Sequence, residues 1–232
     1  MVNIDEKKRR AAEHSLSFVE DGMTVGLGSG TTVYWMIKKL GQLAKSGLNV
    51  RGVPTSKRTE GWAKEFGIPV VMPAAGLTID VAIDGADEVD PSGNLIKGGG
   101  GSLVREKIID TQAKKFIVVV DESKRVQTLG QFPLPVEVVP FGWEMTARRI
   151  ETFGCRAVLR MREGSPFVSD NGNYILDCHF GAISEPDQLH QQLKLLTGVV
   201  ETGLFIGVAD WVLVGKESGV DAIPFPKAGN DR

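Results

Sequence analysis

Hydrophobic positions along the chain follow two alternating rhythms. Short apolar runs at Met23–Leu27, Asn49–Val53, Pro69–Met72, Asp80–Ile83 and Phe116–Asp121 have the length of buried strands. Between them, residues 5–20, Val33–Leu43, Ser56–Phe66 and Leu103–Ala113 carry apolar residues at helical spacing. Strands alternating with helices predict an α/β fold, with a mostly parallel sheet covered by helices on both faces.

After the proline-bearing stretch 131–135 the rhythm changes. A strand (Val136–Val139), a helix (Trp143–Phe153), two strands (Arg156–Met161 and Tyr174–His179), a helix (Pro186–Leu196) and a strand (Val199–Phe205) follow in order. This βαββαβ succession is the ferredoxin-like α+β signature, with Asp170-Asn171-Gly172-Asn173 as its turn. A last apolar strand, Trp211–Val214, is expected to rejoin the first sheet.

Composition narrows the function classes. The chain has 232 residues, 42% of them hydrophobic, and a formal net charge of -2, so a normal core is expected and disorder is not. Nucleic acid is not expected as a partner, because phosphate-backbone binding draws on clustered Lys and Arg. The one basic run, Lys7 to Arg10, sits on a helix beside Asp5 and Glu6 and reads as a solvated face. Cys155 and Cys178 have neither metal spacing nor a disulfide framework around them, which suggests a reducing compartment. The start MVNIDEKKRR lacks the apolar region of a signal peptide, and no apolar stretch approaches membrane-spanning length. The expected location is the cytoplasm, with no membrane partner.

Charge and glycine meet in the stretch 83–101, IDGADEVDPSGNLIKGGGG. Asp90-Pro-Ser-Gly-Asn94 has the residues of a solvated turn. Asp84 and Asp87 fit that reading poorly, because they follow directly on an apolar strand. A second glycine-rich segment, Gly26 to Thr32, joins a strand to a helix. It is no dinucleotide fingerprint: the third glycine would fall at Thr31, and the second strand ends in Gly52-Val53-Pro54 without an acidic residue. Gly215-Lys216 is no P-loop, since Asp210 stands where the first glycine belongs. His14, His179 and His190 lie in separate elements, and no metal is expected. What remains is a helix start with the hydroxyls of Ser29, Thr31 and Thr32 and free backbone donors, suited to a small phosphate.

Ligands of open parallel sheets collect outside the carboxyl ends of the strands. Ser29 to Thr32, Asp84 and Asp87, and Asp121 to Lys124 all follow predicted strands, and Lys97 with its glycines leads into the helix of Glu106. One carboxylate to move a proton, a lysine and backbone N–H groups to stabilise a developing oxyanion, and further carboxylates suit proton abstraction next to a carbonyl.

In these motifs the chain resembles the type A ribose-5-phosphate isomerase family: Gly26-Leu-Gly-Ser-Gly-Thr-Thr32, Asp84-Gly-Ala-Asp-Glu88, Lys97-Gly-Gly-Gly-Gly101, Arg105-Glu-Lys-Ile-Ile109, Asp121-Glu-Ser-Lys124 and Phe132-Pro-Leu-Pro-Val-Glu-Val138. The ordered set is specific, although no member is by itself. Ser29 stands where many members have Thr and Thr31 where many have Ser, and both keep the hydroxyl.

The resemblance implies reversible interconversion of D-ribose 5-phosphate and D-ribulose 5-phosphate in the pentose phosphate pathway, without cofactor or metal. It implies that Glu106 carries a proton between C1 and C2 through a cis-enediolate. Asp84, Asp87 and Lys97 would assist ring opening and hold the sugar oxygens. Substrate contacts would come from Ser29, Gly30, Thr31 and Thr32, from Asp84, Gly85, Ala86 and Asp87, and from Lys97, Gly98, Gly99, Gly100 and Lys124, with Lys8 a further neighbour of the phosphate. It also implies a Rossmann-like catalytic domain (1–133 and 207–232), an inserted ferredoxin-like subdomain (134–206), and a homodimer or homotetramer. The competing class is a non-catalytic sugar-phosphate sensor on the same scaffold, whose marks would be a missing base or an added DNA-binding segment. An amino-sugar phosphate isomerase-deaminase or an acyl-CoA transferase fits the glycine loop but not the spacing of Asp84, Asp87, Lys97 and Glu106.

Overall fold

The computed structural model describes residues 3–225. From the N-terminus come α1 (Ile4–His14), a 3-10 turn (Ser15–Phe18), β1 (Thr24–Leu27), α2 (Thr31–Lys45), β2 (Arg51–Pro54), α3 (Lys57–Phe66) and β3 (Ile79–Asp84). The short strands β4 (Glu88–Val89) and β5 (Leu95–Ile96) precede α4 (Leu103–Gln112), β6 (Ala113–Asp121) and a second 3-10 turn (Glu122–Lys124). Then follow β7 (Leu134–Val138), α5 (Trp143–Glu151), β8 (Arg156–Leu159), β9 (Met161–Arg162), β10 (Ser165–Pro166) and β11 (Tyr174–His179). The chain closes with α6 (Pro186–Lys194), β12 (Val199–Thr202), β13 (Leu204–Phe205), β14 (Trp211–Gly215) and β15 (Val220–Pro224).

Two compact units result, one from residues up to 86, 105–124 and from 207 on, the other from 87–104 and 125–206. The first is a Rossmann-like sheet in the order β15-β14-β6-β3-β1-β2, parallel throughout except for β15. Alternation along its strands sends Val25, Leu27, Val81 and Ile83 into one core with Ala11, Val33 and Ala63 of the first three helices. The opposite face is covered differently. Gly26 and Ala82 are small there, and a Cβ on Gly26 would come within 2.7 Å of Ile109 on α4, so the glycine lets that helix lie close to the sheet. Met36, Ile37 and Leu40 of α2 are fully buried, each contributing about 1.5–3 kcal/mol of apolar burial. Ser56 caps α3 by accepting from the Thr59 N–H (3.0 Å), and Gly67 ends that helix in the left-handed region (φ 81°).

The second unit holds an antiparallel sheet in the order β12-β7-β11-β8, which is the ferredoxin-like arrangement for βαββαβ. Residues 87–104 and 125–133 group with it, because β5 pairs with β13 and Val89 bridges Arg125. Its core gathers Val136, Val138, Ile150, Leu176, Cys178 and Leu193.

Several elements differ from the pattern-based expectation. The N-terminal helix is α-helical only to His14. The strand expected at Pro69–Met72 is a single parallel bridge from Val70 to Gly52, held between the proline carbonyl and Val71 N–H. Prolines at 69 and 73 have no N–H with which to extend a ladder. The run Val199–Phe205 divides at Gly203, β12 joining the four-stranded sheet and β13 joining β5. The run Arg156–Met161 is interrupted at Arg160. The edge strand β15 was not expected, since its five residues, Val-Asp-Ala-Ile-Pro, are all at least partly exposed and carry no clear two-residue period. Among the described residues no helix is long and apolar enough to cross a membrane.

Candidate active site

In the first unit the chain runs from β1 outward to β2 and then returns past β1 to β3, so the strand order reverses at β1. The segments leaving the carboxyl ends of β1 and β3 flank that switch point, where open α/β sheets form their ligand crevice. Residues 28–32 and 84–86 are those segments.

They are tied together at Asp84. This carboxylate is fully buried, and its Oδ1 accepts from the N–H of Ser29 (2.9 Å) and of Gly85 (2.7 Å). Two charge-assisted bonds from backbone donors fix its orientation. Gly28 is required beside it: a methyl group at residue 28 would overlap the Asp84 carboxylate.

Gly30 stands at the N-cap of α2 with φ 110°, a conformation that favours glycine, and frees the first turn of a 15-residue helix from a capping side chain. Thr31 is exposed there, and the Lys8 ammonium donates to its hydroxyl at 3.3 Å. Thr32 is partly exposed in the same turn. Helix donors, a threonine hydroxyl and a lysine at one point are groups that could hold an anion. Ser29 differs from its neighbours. Its side chain is buried and meets the hydroxyls of Thr55 (3.0 Å), Ser56 (3.1 Å) and Thr59 (3.3 Å), while Thr59 donates to Gly28 O (2.9 Å). The hydroxyl of Ser29 therefore braces the loop from behind, a role that sequence spacing does not separate from ligand contact.

Lys124 ends the 3-10 turn after β6, on the same sheet edge, and is partly exposed. Asp121 caps that turn through the Ser123 N–H (3.0 Å) and hydroxyl (2.5 Å). Lys7 reaches Glu122 at 2.6 Å, and that hydrogen bond holds the lysine above its ordinary pKa. Glu106, in the first turn of α4, is buried.

The second unit holds Asp87, Lys97 and the glycine run. Asp87 N–H donates to Ile96 O (2.8 Å), and its Oδ2 accepts from Gly99 N–H (2.7 Å). Lys97 is buried, with its N–H on Gly203 O (2.9 Å) and its ammonium 5.3 Å from the centre of the Phe205 ring. Gly203 can approach so closely because it lacks a side chain; a Cβ there would strike the Lys97 carbonyl. Gly98 (φ 105°) and Gly101 (φ 86°) both occupy backbone regions that L side chains rarely adopt.

The acidic stretch thus divides by task. Glu88 is buried and accepts from Gly130 N–H and Phe132 N–H, each at 2.6 Å, which fixes the loop before β7. Asp90 accepts from Ser92 N–H (2.8 Å) and Asn94 N–H (2.9 Å), closing its turn. Among the described residues no group of three His, Cys, Asp or Glu side chains could hold a metal ion.

Fold and site define an α/β protein with a helix start, hydroxyls and a lysine at its sheet edge, a buried acidic group tied to that edge, and a ferredoxin-like unit carrying a buried lysine and a glycine run. Residues 51–219 match the family model for ribose 5-phosphate isomerase A (phosphoriboisomerase A). The chain is 51% identical to ribose-5-phosphate isomerase A 1 of Oceanobacillus iheyensis over 93% of its own length and 97% of that protein's. It is similar to a solved D-ribose-5-phosphate isomerase in complex with phospho-erythronic acid (TM-score 0.93, 43% identity, 96% of this chain and 100% of that one). A ribose 5-phosphate isomerase A from Methanocaldococcus jannaschii is also similar (TM-score 0.91, 39% identity, 96% and 100% covered). The chain belongs to the ribose 5-phosphate isomerase A family.

Proposed function

We propose that this protein interconverts D-ribose 5-phosphate and D-ribulose 5-phosphate by proton transfer through a cis-enediolate. The observation that carries the reading is the 2.9 Å bond between Asp84 and the Ser29 amide, which sets an acid–base group at a fixed place beside an anion-binding helix start. Gly30, Thr31, Thr32, Lys8 and Lys124 hold the phosphate. Asp84 moves the proton between the ring oxygen and O1 as the furanose opens. Glu106 then removes the C2 proton, the C–H electrons form the C1–C2 double bond, and charge collects on O1. Lys97 and the glycine-run amides stabilise that charge, and Asp87 holds the sugar hydroxyls. The O2 proton passes to the O1 oxyanion, the O2 electrons form the C2 carbonyl, and the former double-bond electrons take the proton back from Glu106 at C1, leaving the ketose. Gly85 and Ala86 line the path beside Asp84, and Ser29 keeps the loop in place.

Family resemblance supports a homodimer or homotetramer, and the free thiols Cys155 and Cys178 support a reducing cytoplasmic setting. The deciding experiment incubates EDTA-treated protein with ribose 5-phosphate in D2O and follows the NMR spectrum. Ribulose 5-phosphate carrying some deuterium at C1 supports the enediolate route. Folded protein that binds the sugar phosphate without forming product is a sensor instead. Phospho-erythronic acid, a phosphorylated sugar acid like the one held by the solved relative, is expected to inhibit competitively.

A further inference from the structure

One peptide group in the second unit is gripped at both ends by opposite charges. The Gly98 carbonyl accepts from Arg160 Nη1 (2.8 Å), and the Gly99 N–H of that same peptide donates to Asp87 Oδ2 (2.7 Å). Arg160 Nη1 also reaches the Gly99 carbonyl (3.2 Å). The guanidinium is held in turn by a two-pronged pair with Asp177, Nε to Oδ2 at 3.0 Å and Nη2 to Oδ1 at 2.5 Å. It lies 5.9 Å from the centre of the Phe167 ring, and that ring occupies the space a side chain on Gly101 would need.

Such a clamp answers a need. A run of glycines has no side chains with which to fix itself and loses more conformational freedom on ordering than any other residue type. Arg160 sits where the strand pattern breaks between β8 and β9, which turns its side chain to this use while its backbone still bonds Ile175 and Phe167. A lysine would replace it only in part, since a point charge lacks the planar fork that pairs with the carboxylate in two prongs while a further N–H reaches the carbonyl. A cation on the carbonyl also polarises the peptide and strengthens the N–H bond to Asp87.

We propose that Arg160, anchored by Asp177, is a positioning residue that fixes Asp87 through the Gly98–Gly99 peptide. The inference rests on the isomerase reading. Arg160→Met is expected to lower kcat about 10- to 100-fold, as sub-ångström to 1 Å misplacement of reacting groups does, with a smaller change in KM because the phosphate contacts are elsewhere. Arg160→Lys recovers part of the loss.

The test is a double-mutant cycle with Asp87→Asn, read as kcat for ribose 5-phosphate. If Arg160 acts through Asp87, the double variant is no slower than Asp87→Asn alone. Losses that multiply independently, or an Arg160→Met protein of lower thermal stability but wild-type kcat, overturn the proposal. Should Arg160→Met not fold, Asp177→Asn replaces it in the cycle, with a smaller kcat loss and the same non-additivity expected. Wild-type protein without isomerase activity overturns the underlying reading and this inference with it. Wild-type turnover with independent losses overturns the inference alone.

Discussion

Gly28 and Asp84 share one small volume at the carboxyl edge of the sheet. The glycine N–H donates to Ile83 O (3.0 Å), the next amide, Ser29, donates to the Asp84 carboxylate, and no space is left between them for a methyl group. Gly28→Ala is therefore expected to displace Asp84 from its amide pair. Overpacking of this kind costs about 1–3 kcal/mol of stability. Thermal unfolding measures that part. Activity should fall further than the stability loss explains, and an alanine variant with unchanged kcat would mean that Asp84 tolerates movement.

Lys8 and Thr31 form the phosphate end. Their 3.3 Å contact and the 4.0 Å approach of Lys8 to Asp5 are made to exposed partners, which the lysine can exchange for an arriving dianion. Lys8→Ala is expected to raise KM while leaving kcat nearly intact, because an anchor far from the reacting carbons binds ground and transition states alike. The increase should shrink at high salt, where the missing attraction is screened in the wild type as well. Steady-state kinetics at two ionic strengths checks both statements.

Much of this arrangement is legible in the chain. Apolar periodicity is strong wherever a whole face is buried, so the parallel strands β1, β3 and β6 and the helices against them appear directly. It fails where structure is made by short pairings: β4, β5 and β13 have two residues each and display no period at all. The division at Gly203 has the same cause, since each of the two pieces on either side of it is too short to show a period of its own. Ser29 and Glu88 show the other limit. Spacing identifies a hydroxyl among glycines and a carboxylate among carboxylates, but only packing reveals that Ser29 turns inward to Thr55, Ser56 and Thr59 and that Glu88 pins Gly130 and Phe132.

Asp80 ties the entry of the sheet together and makes stability depend on acid. Its carboxylate bonds the Lys114 ammonium (2.8 Å) and the Thr24 N–H (2.9 Å), and these hold its pKa below the ordinary aspartate value. A depressed folded-state pKa adds stability that is present above the unfolded value, about 3.9, and is lost as pH falls through the folded one. Asp80→Asn is expected to cost up to about 1 kcal/mol at pH 7, a partly exposed pair being screened by water. The difference from wild type should narrow below about pH 4. Denaturant titrations at both pH values decide it: a gap that persists unchanged in acid assigns the loss to packing rather than to charge.

Glu106 bears the heaviest part of the proposed chemistry and admits the cleanest substitution. Glu106→Gln keeps the size and hydrogen-bonding reach of the side chain but cannot accept a proton from carbon. General-base catalysis contributes about 10²- to 10⁴-fold, so kcat should fall by that factor while KM moves little. Exchange of the C2 proton of ribose 5-phosphate with D2O should disappear in parallel. Binding of phospho-erythronic acid, measured calorimetrically, supplies the control for a correctly formed site. Retained binding with lost turnover and lost exchange places Glu106 at the carbon acid. Retained turnover would move the base to another carboxylate, and Asp84, tied to the glycine loop by backbone amides, would be the group to test next.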